Sequence, residues 1–314
     1  MAVETLNDVE LVKKFEDDCF IRGLSVHTIE SYASILHLFT SWLHNYGYSL
    51  LSVDRDILIK YISYLRKNEI HQKTIENRFS AFSSFYDYLV FGNFLEKNIV
   101  MDIRKRYLKP YKDNDGGSGI RKLVSIQEMS SFINSILDIR DKAIALLFAK
   151  TGIRRRELVT LDLDDVNWED MSITLKPTHK RSNRVVFFDY ECALVLQQWL
   201  TKRSLVADPE NKALFVSYID KKARLNRNGI GYMFVRWAEL AGLHDAQSKK
   251  VEDHFTPQCC RHFFTTMLRR AGMPREFIME LRGDKRKDAM DIYDHIDKEE
   301  LRKSYLAHIP QFGI

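Results

Sequence analysis

Apolar side chains recur at helical spacing through the first hundred residues. Leu11, Val12, Phe15 and Cys19 share one face of a helix that Gly23 is placed to end. Ser25 is positioned to cap a second helix with the stripe Ile29, Tyr32, Leu36, Phe39 and Leu43. Asp54 is placed before a third that carries Ile57, Leu58, Tyr61, Ile62 and Leu65. Ile75, Phe79, Phe82, Phe85, Tyr86 and Leu89 mark a fourth, ending near Gly92. Four amphipathic helices with short connections predict a small bundle.

The pattern then breaks. Arg104-Lys105-Arg106-Tyr107-Leu108-Lys109-Pro110-Tyr111-Lys112 runs into a glycine cluster ending at Gly119. Basic residues, a proline and glycines predict a mobile linker over 104–124, between domains at 1–103 and 125–314. Beyond it, Ser125 and Glu128 stand at capping-box spacing. Asp141 to Lys150 reads as a buried helix. Ser172–Leu175 and Arg184–Phe188 are strand candidates around a polar turn at Pro177–Asn183, and Leu214-Phe215-Val216 is another short one. Helices are expected from Asp189 to Leu200, Ile230 to Ala241, Pro257 to Ala271, Pro274 to Leu281 and Lys285 to Tyr293. The second domain is thus mainly α with a small β-sheet.

Composition adds little. A net charge of +5 permits a polyanionic partner without demanding one. Cys19, Cys192, Cys259 and Cys260 form no Cys-X-X-Cys pair, so neither a zinc site nor a disulfide framework is expected. No apolar run reaches the length of a membrane helix, and the first ten residues lack a signal pattern. A cytoplasmic protein is the expectation, or a nuclear one in a eukaryote.

The informative residues lie further on. Thr151-Gly152-Ile153-Arg154-Arg155-Arg156-Glu157-Leu158 is followed by Thr256-Pro257-Gln258-Cys259-Cys260-Arg261-His262. Leu281-Arg282-Gly283-Asp284 comes next, and Tyr293 stands nine positions after Asp284. These segments resemble the catalytic domain of the tyrosine recombinases, the phage-integrase and Xer-type family. Arg22–Tyr32, Lys73–Phe82 and Phe85–Leu89 look like segments of that family's core-binding, SAM-like domain, so the resemblance covers nearly the whole chain. It implies a C-shaped clamp on double-stranded DNA and a monomer that assembles a tetrameric synapse on its target sites.

Site roles follow from the resemblance. Arg154 and Arg261 would clamp one scissile phosphate, because planar guanidinium forks bond two oxygens and stay charged. Tyr293 would attack that phosphate, leaving a 3′-phosphotyrosyl link that is rejoined without metal, cofactor or ATP. Lys180, in the hairpin turn, would protonate the leaving 5′ oxygen, with Lys176 as its competitor. Gln258 and Asp284 occupy the two places where histidine is usual. An amide can donate to a phosphate oxygen but cannot turn over a proton. Asp284 would repel a phosphate unless paired or protonated, and it could instead hold Arg261 or Arg282 or take the Tyr293 proton. The Leu-Arg-Gly-Asp segment is known from archaeal integrase-like members.

Lys73, Arg78, Arg104, Lys105, Arg106, Lys109, Lys112 and Arg181 are candidate DNA-backbone contacts, each also readable as a solvated charge. Leu301, Tyr305, Leu306 and Ile309 mark a tail that packs either on a neighbouring protomer or on its own domain. Two other readings compete with the recombinase. One is a relative that binds DNA but has lost catalysis. The other, weaker, is a metal-dependent nuclease built on Asp162, Asp164, Asp165 and Asp284.

Overall fold

The stripes along the first hundred residues become four helices: α1 (Asp8–Ile21), α2 (Val26–His44), α3 (Arg55–Lys67) and α4 (Gln72–Phe91). The structure, a computed structural model, describes residues 7–108, 122–177, 184–220, 223–248, 250–284 and 296–314. The chain divides into two units, Met1–Gly116 and Gly117–Ile314. In the first, Asn7 and Glu10 close a capping box on α1, while Ser25 and Asp54 cap α2 and α3 through their side chains. The helices meet over a dense aromatic core, with Phe39 centred 4.7 Å from Tyr61 and 4.4 Å from Phe82. Asp8, buried, accepts from Leu50 N at 3.0 Å and meets His44 Nε2 at 2.8 Å, which ties α1 to the end of α2 and the turn beyond.

The start of the expected linker is helical instead. Val100–Ile103 forms α5, and Arg104–Leu108 continues it as one wider, π-type turn. Val100, Ile103 and Leu108 are all buried in the first unit's core. Their apolar spacing outweighs the basic residues between them. Positions 109–121, with Lys109 and Lys112, lie outside the described residues.

The second unit opens with α6 (Ile126–Ser135), capped reciprocally by Ser125 and Glu128. Helix α7 (Ile139–Thr151) is buried on every side, packed between α9 (Tyr190–Val206) and α11 (Pro257–Arg270). Between α7 and α9 lie the short α8 (Arg155–Val159) and a three-stranded antiparallel sheet. Its strands β1 (Val166–Asn167), β2 (Ser172–Leu175) and β3 (Arg184–Phe187) pair in that order, with Leu175 opposite Arg184. Helix α9 runs past Leu200 to Val206. Helices α10 (Arg227–Leu240), α12 (Arg275–Arg282) and α13 (Lys298–His308) complete the unit. The helix expected over Lys285–Tyr293 lies outside the described residues.

Leu214–Val216 does not form a strand. Two isolated bridges flank it, Asp162 with Ala213 and Val216 with Arg224. Two of its carbonyls are taken by side chains, Trp199 Nε1 donating to Leu214 O at 2.9 Å and Arg140 Nη1 to Val216 O at 3.1 Å, while Phe215 O accepts from the Leu225 main-chain N–H at 3.0 Å. A buried apolar triplet signals burial but not the ladder that would satisfy it.

The tail folds onto its own unit. Leu301, Tyr305 and Ile309 are buried beside Phe264 and Phe277. Tyr305 Oη donates to Lys150 O at 3.0 Å. The Glu191 carboxylate accepts from the main-chain N–H groups of Phe312, Gly313 and Ile314. Lys150, fully buried, donates to Asp189 at 2.5 Å, Glu191 at 2.6 Å and Pro310 O at 2.7 Å.

Candidate active site

Gly152 ends α7 in the left-handed region, with φ of 60°, and a Cβ there would come within 2.4 Å of the Phe264 ring. Its carbonyl accepts from Arg261 Nη1 at 2.6 Å. Two residues on, Arg154 caps α8, and its main-chain N–H donates to Glu157 Oε2 at 2.7 Å. Arg261 comes from α11, which starts at Thr256 with Pro257 in its first turn, where a missing N–H costs nothing.

These two arginines meet. Arg154 Nη1 and Arg261 Nη2 donate to the same oxygen, the main-chain carbonyl of Arg282, at 3.1 and 2.8 Å. That carbonyl is exposed to them because α12 ends there, at Gly283 in the left-handed conformation with φ of 61°. The turn carries Asp284 into the same place. Its Oδ1 lies 3.5 Å from Arg261 Nη2 and 3.8 Å from Arg154 Nη2. Its Oδ2 lies 2.9 Å from Arg282 Nε, a charge contact rather than an aligned hydrogen bond. Arg261 is 3 % exposed, and burial, reinforced by the nearby Arg282 charge, brings its guanidinium down to about 10. It stays charged at neutral pH.

A second ion pair supports this cluster. Arg184, at the head of β3, grips Glu157 with both forks, at 2.8 and 3.0 Å, and donates through Nε to Leu281 O at 3.0 Å. It so joins β3, α8 and the end of α12. A Cβ on Gly283 would meet Arg184 Nη1 at 2.6 Å, so glycine serves both the turn and this close approach. Glu157, Arg184 and Gly283 stand inside or beside the motifs, yet the sequence alone assigns them no part. The signal was a lone acid in the Arg154 segment, whose partner lies 27 residues away.

The other candidates divide. Gln258 lies one turn before Arg261 on α11 and is exposed. Lys180, Arg181 and Tyr293 fall outside the described residues. Lys176 is tied to Asp162 and Asp165. Asp162 also takes Arg224, so two of the acids of the nuclease reading are occupied by cations, and Asp284 stands apart among arginines. Among the described residues no cluster of three or more metal-ligating side chains occurs.

In the first unit, Lys73, Arg104 and Lys105 line one groove together with Glu76 and Asp102. Lys73 pairs with Glu76 at 3.0 Å, and Arg104 Nη2 donates to Ser80 Oγ at 3.1 Å. Arg78 turns away from this groove and donates to Tyr61 Oη at 3.1 Å. Arg106, exposed, lies over the Tyr107 ring. No helix of the described residues is long and apolar enough to cross a membrane.

The sequence model of the phage integrase family matches residues 122–300, and that of the phage integrase N-terminal SAM-like domain matches residues 12–91. Tyrosine recombinase XerC of Vibrio vulnificus is 27 % identical over 286 residues, covering 90 % of this chain and 85 % of that one. XerC of Haemophilus influenzae is 28 % identical over 293 residues, covering 90 % and 91 %. Among solved structures, the Tn1549 transposon integrase in complex with circular intermediate DNA matches with a TM-score of 0.66 at 18 % identity, over 93 % of this chain and 98 % of that one. The lambda integrase dimer bound to a core site matches with a TM-score of 0.68 at 13 % identity, over 93 % and 100 %. At those identities the likeness is one of fold.

Proposed function

This chain belongs to the phage integrase family of tyrosine recombinases, and from that premise we propose that it cuts and rejoins double-stranded DNA at specific sites through a 3′-phosphotyrosyl intermediate. The observation that carries the reading is the meeting of Arg154 and Arg261, from separate helices, on one oxygen atom. Two guanidinium groups that reach one carbonyl also reach one phosphate. Their charge there would oppose the charge that builds on the phosphoryl oxygens in the transition state.

Tyr293 is the nucleophile in this account. A free phenol titrates near pH 10, and nearby guanidinium groups favour its ionised form. Attack on phosphorus forms the Tyr–O–P bond and breaks the bond to the 5′ oxygen, which takes a proton from Lys180. The reverse attack by a 5′ hydroxyl restores the strand, so the ester stores the energy for rejoining. Gln258 donates a hydrogen bond to a phosphate oxygen. The DNA-binding set is Lys73, Arg78, Arg104, Lys105, Arg106, Lys109, Lys112 and Arg181. The protein acts in the cytoplasm and assembles as a tetramer on paired sites.

The test is capture on a nicked suicide substrate carrying the element's own flanking DNA. Wild type is expected to form a covalent adduct that resists denaturant. Tyr293→Phe is expected to bind equally and form none, and an adduct with that variant would displace Tyr293 from its role. A second reading, a DNA-binding relative with impaired chemistry, is favoured by Asp284, an acid beside both arginines. Tight binding with no adduct from wild type would favour it.

A further inference from the structure

An acid in the mouth of a phosphate clamp needs a reason. Asp284 Oδ1 faces Arg261 Nη2 and Arg154 Nη2 at 3.5 and 3.8 Å, and Oδ2 faces Arg282 Nε at 2.9 Å. The arginines facing it thus come from α11, from the cap of α8 and from α12. The other acid beside the cluster, Glu157, is gripped by Arg184 from β3 at 2.8 and 3.0 Å and also accepts from Arg154 Nη1 at 3.3 Å. Two of the three Asp284 contacts are long for a charge-assisted hydrogen bond, which settles near about 2.8 Å. The side chain is 31 % exposed, so water and solutes reach it. The carboxylate is therefore placed by its turn, with Asp284 N donating to Met279 O at 3.1 Å, yet only loosely held by the cations around it.

A carboxylate of this kind has the charge of a backbone phosphate and half of its geometry. It is planar, with two oxygens, and reaches Arg154 and Arg261 through one of them. A phosphodiester offers a tetrahedral set and shorter bonds to both forks. We infer that Asp284 is a resident anion that holds the phosphate position in DNA-free protein and is displaced by the incoming scissile phosphate. The inference rests on the reading of Arg154 and Arg261 as that clamp. Its consequence is selectivity. A stray phosphate must evict the carboxylate unaided, whereas a phosphate in DNA is delivered by contacts elsewhere along the duplex. Until that moment the carboxylate also offsets one of the three guanidinium charges that face it.

The probe is inorganic phosphate, titrated at constant ionic strength into the full chain and followed by 31P line broadening. Asp284→Asn and Asp284→Ser are each expected to tighten phosphate binding by about tenfold, since they remove a like charge from beside the ligand. Arg154→Ala, in the wild-type and Asp284→Asn backgrounds, is expected to remove the site. Melting curves matching wild type qualify each variant. Equal or weaker phosphate binding by both Asp284 variants overturns the inference and makes the carboxylate a support for the arginines. Phosphate binding that is indifferent to Arg154→Ala overturns the clamp reading itself, and this inference with it.

Discussion

Gly152 carries two duties that a residue with a side chain could not perform together. Its left-handed backbone ends α7 and aims a carbonyl at Arg261, and its missing Cβ leaves room for the Phe264 ring. Gly152→Ala is expected to cost about 2 kcal/mol or more, from backbone strain and from overpacking. Urea unfolding checks it, and a loss below about 0.5 kcal/mol would show that the turn relaxes freely. Arg261 shows the complementary constraint. Both of its terminal nitrogens are engaged by main-chain oxygens, so its position is fixed before any ligand arrives. A lysine has one point charge for these two bonds and does not replace it.

At the scale of elements, Lys150 joins α7 to α9 and to the tail beyond α13. It is fully buried between Asp189 and Glu191, with Pro310 O as a third acceptor. Lys150→Met would leave two carboxylates facing each other without their cation, and is expected to cost about 3–5 kcal/mol. Hydrogen exchange should show the tail amides of Phe312, Gly313 and Ile314 losing protection along with it. Full protection in the variant would mean that the Glu191 carboxylate holds the tail alone. The first four helices were readable from sequence by their apolar stripes, and Ser25, Asp54 and Ser125 all cap where expected. The arginines were readable because motif spacing marks them. Unreadable were features that depend on a distant partner. Arg184 looks like any strand-end cation until the fold brings Glu157 to it, and Leu108 looks like a linker residue until the first unit's core receives it. The Arg282 carbonyl on which the site closes is a main-chain atom, which no residue pattern reports.

At the scale of the whole molecule, backbone-dominated binding predicts a steep salt dependence. Removing one phosphate contact should lower the slope of log affinity against log salt by about 0.9. Lys105→Ala, in the groove with Lys73 and Arg104, is expected to lower that slope by about one such step and to weaken all sequences alike. An unchanged slope would make Lys105 a solvated charge. The most direct measurement is adduct mapping. Wild-type protein trapped on a suicide substrate is digested with nuclease and protease, and the modified peptide is sequenced by mass spectrometry. A nucleotide remnant is expected on the Tyr293 phenol, with no adduct in Arg154→Ala or Arg261→Ala. A remnant on any other side chain, or adducts undiminished in those arginine variants, would contradict a tyrosine nucleophile served by a two-arginine clamp.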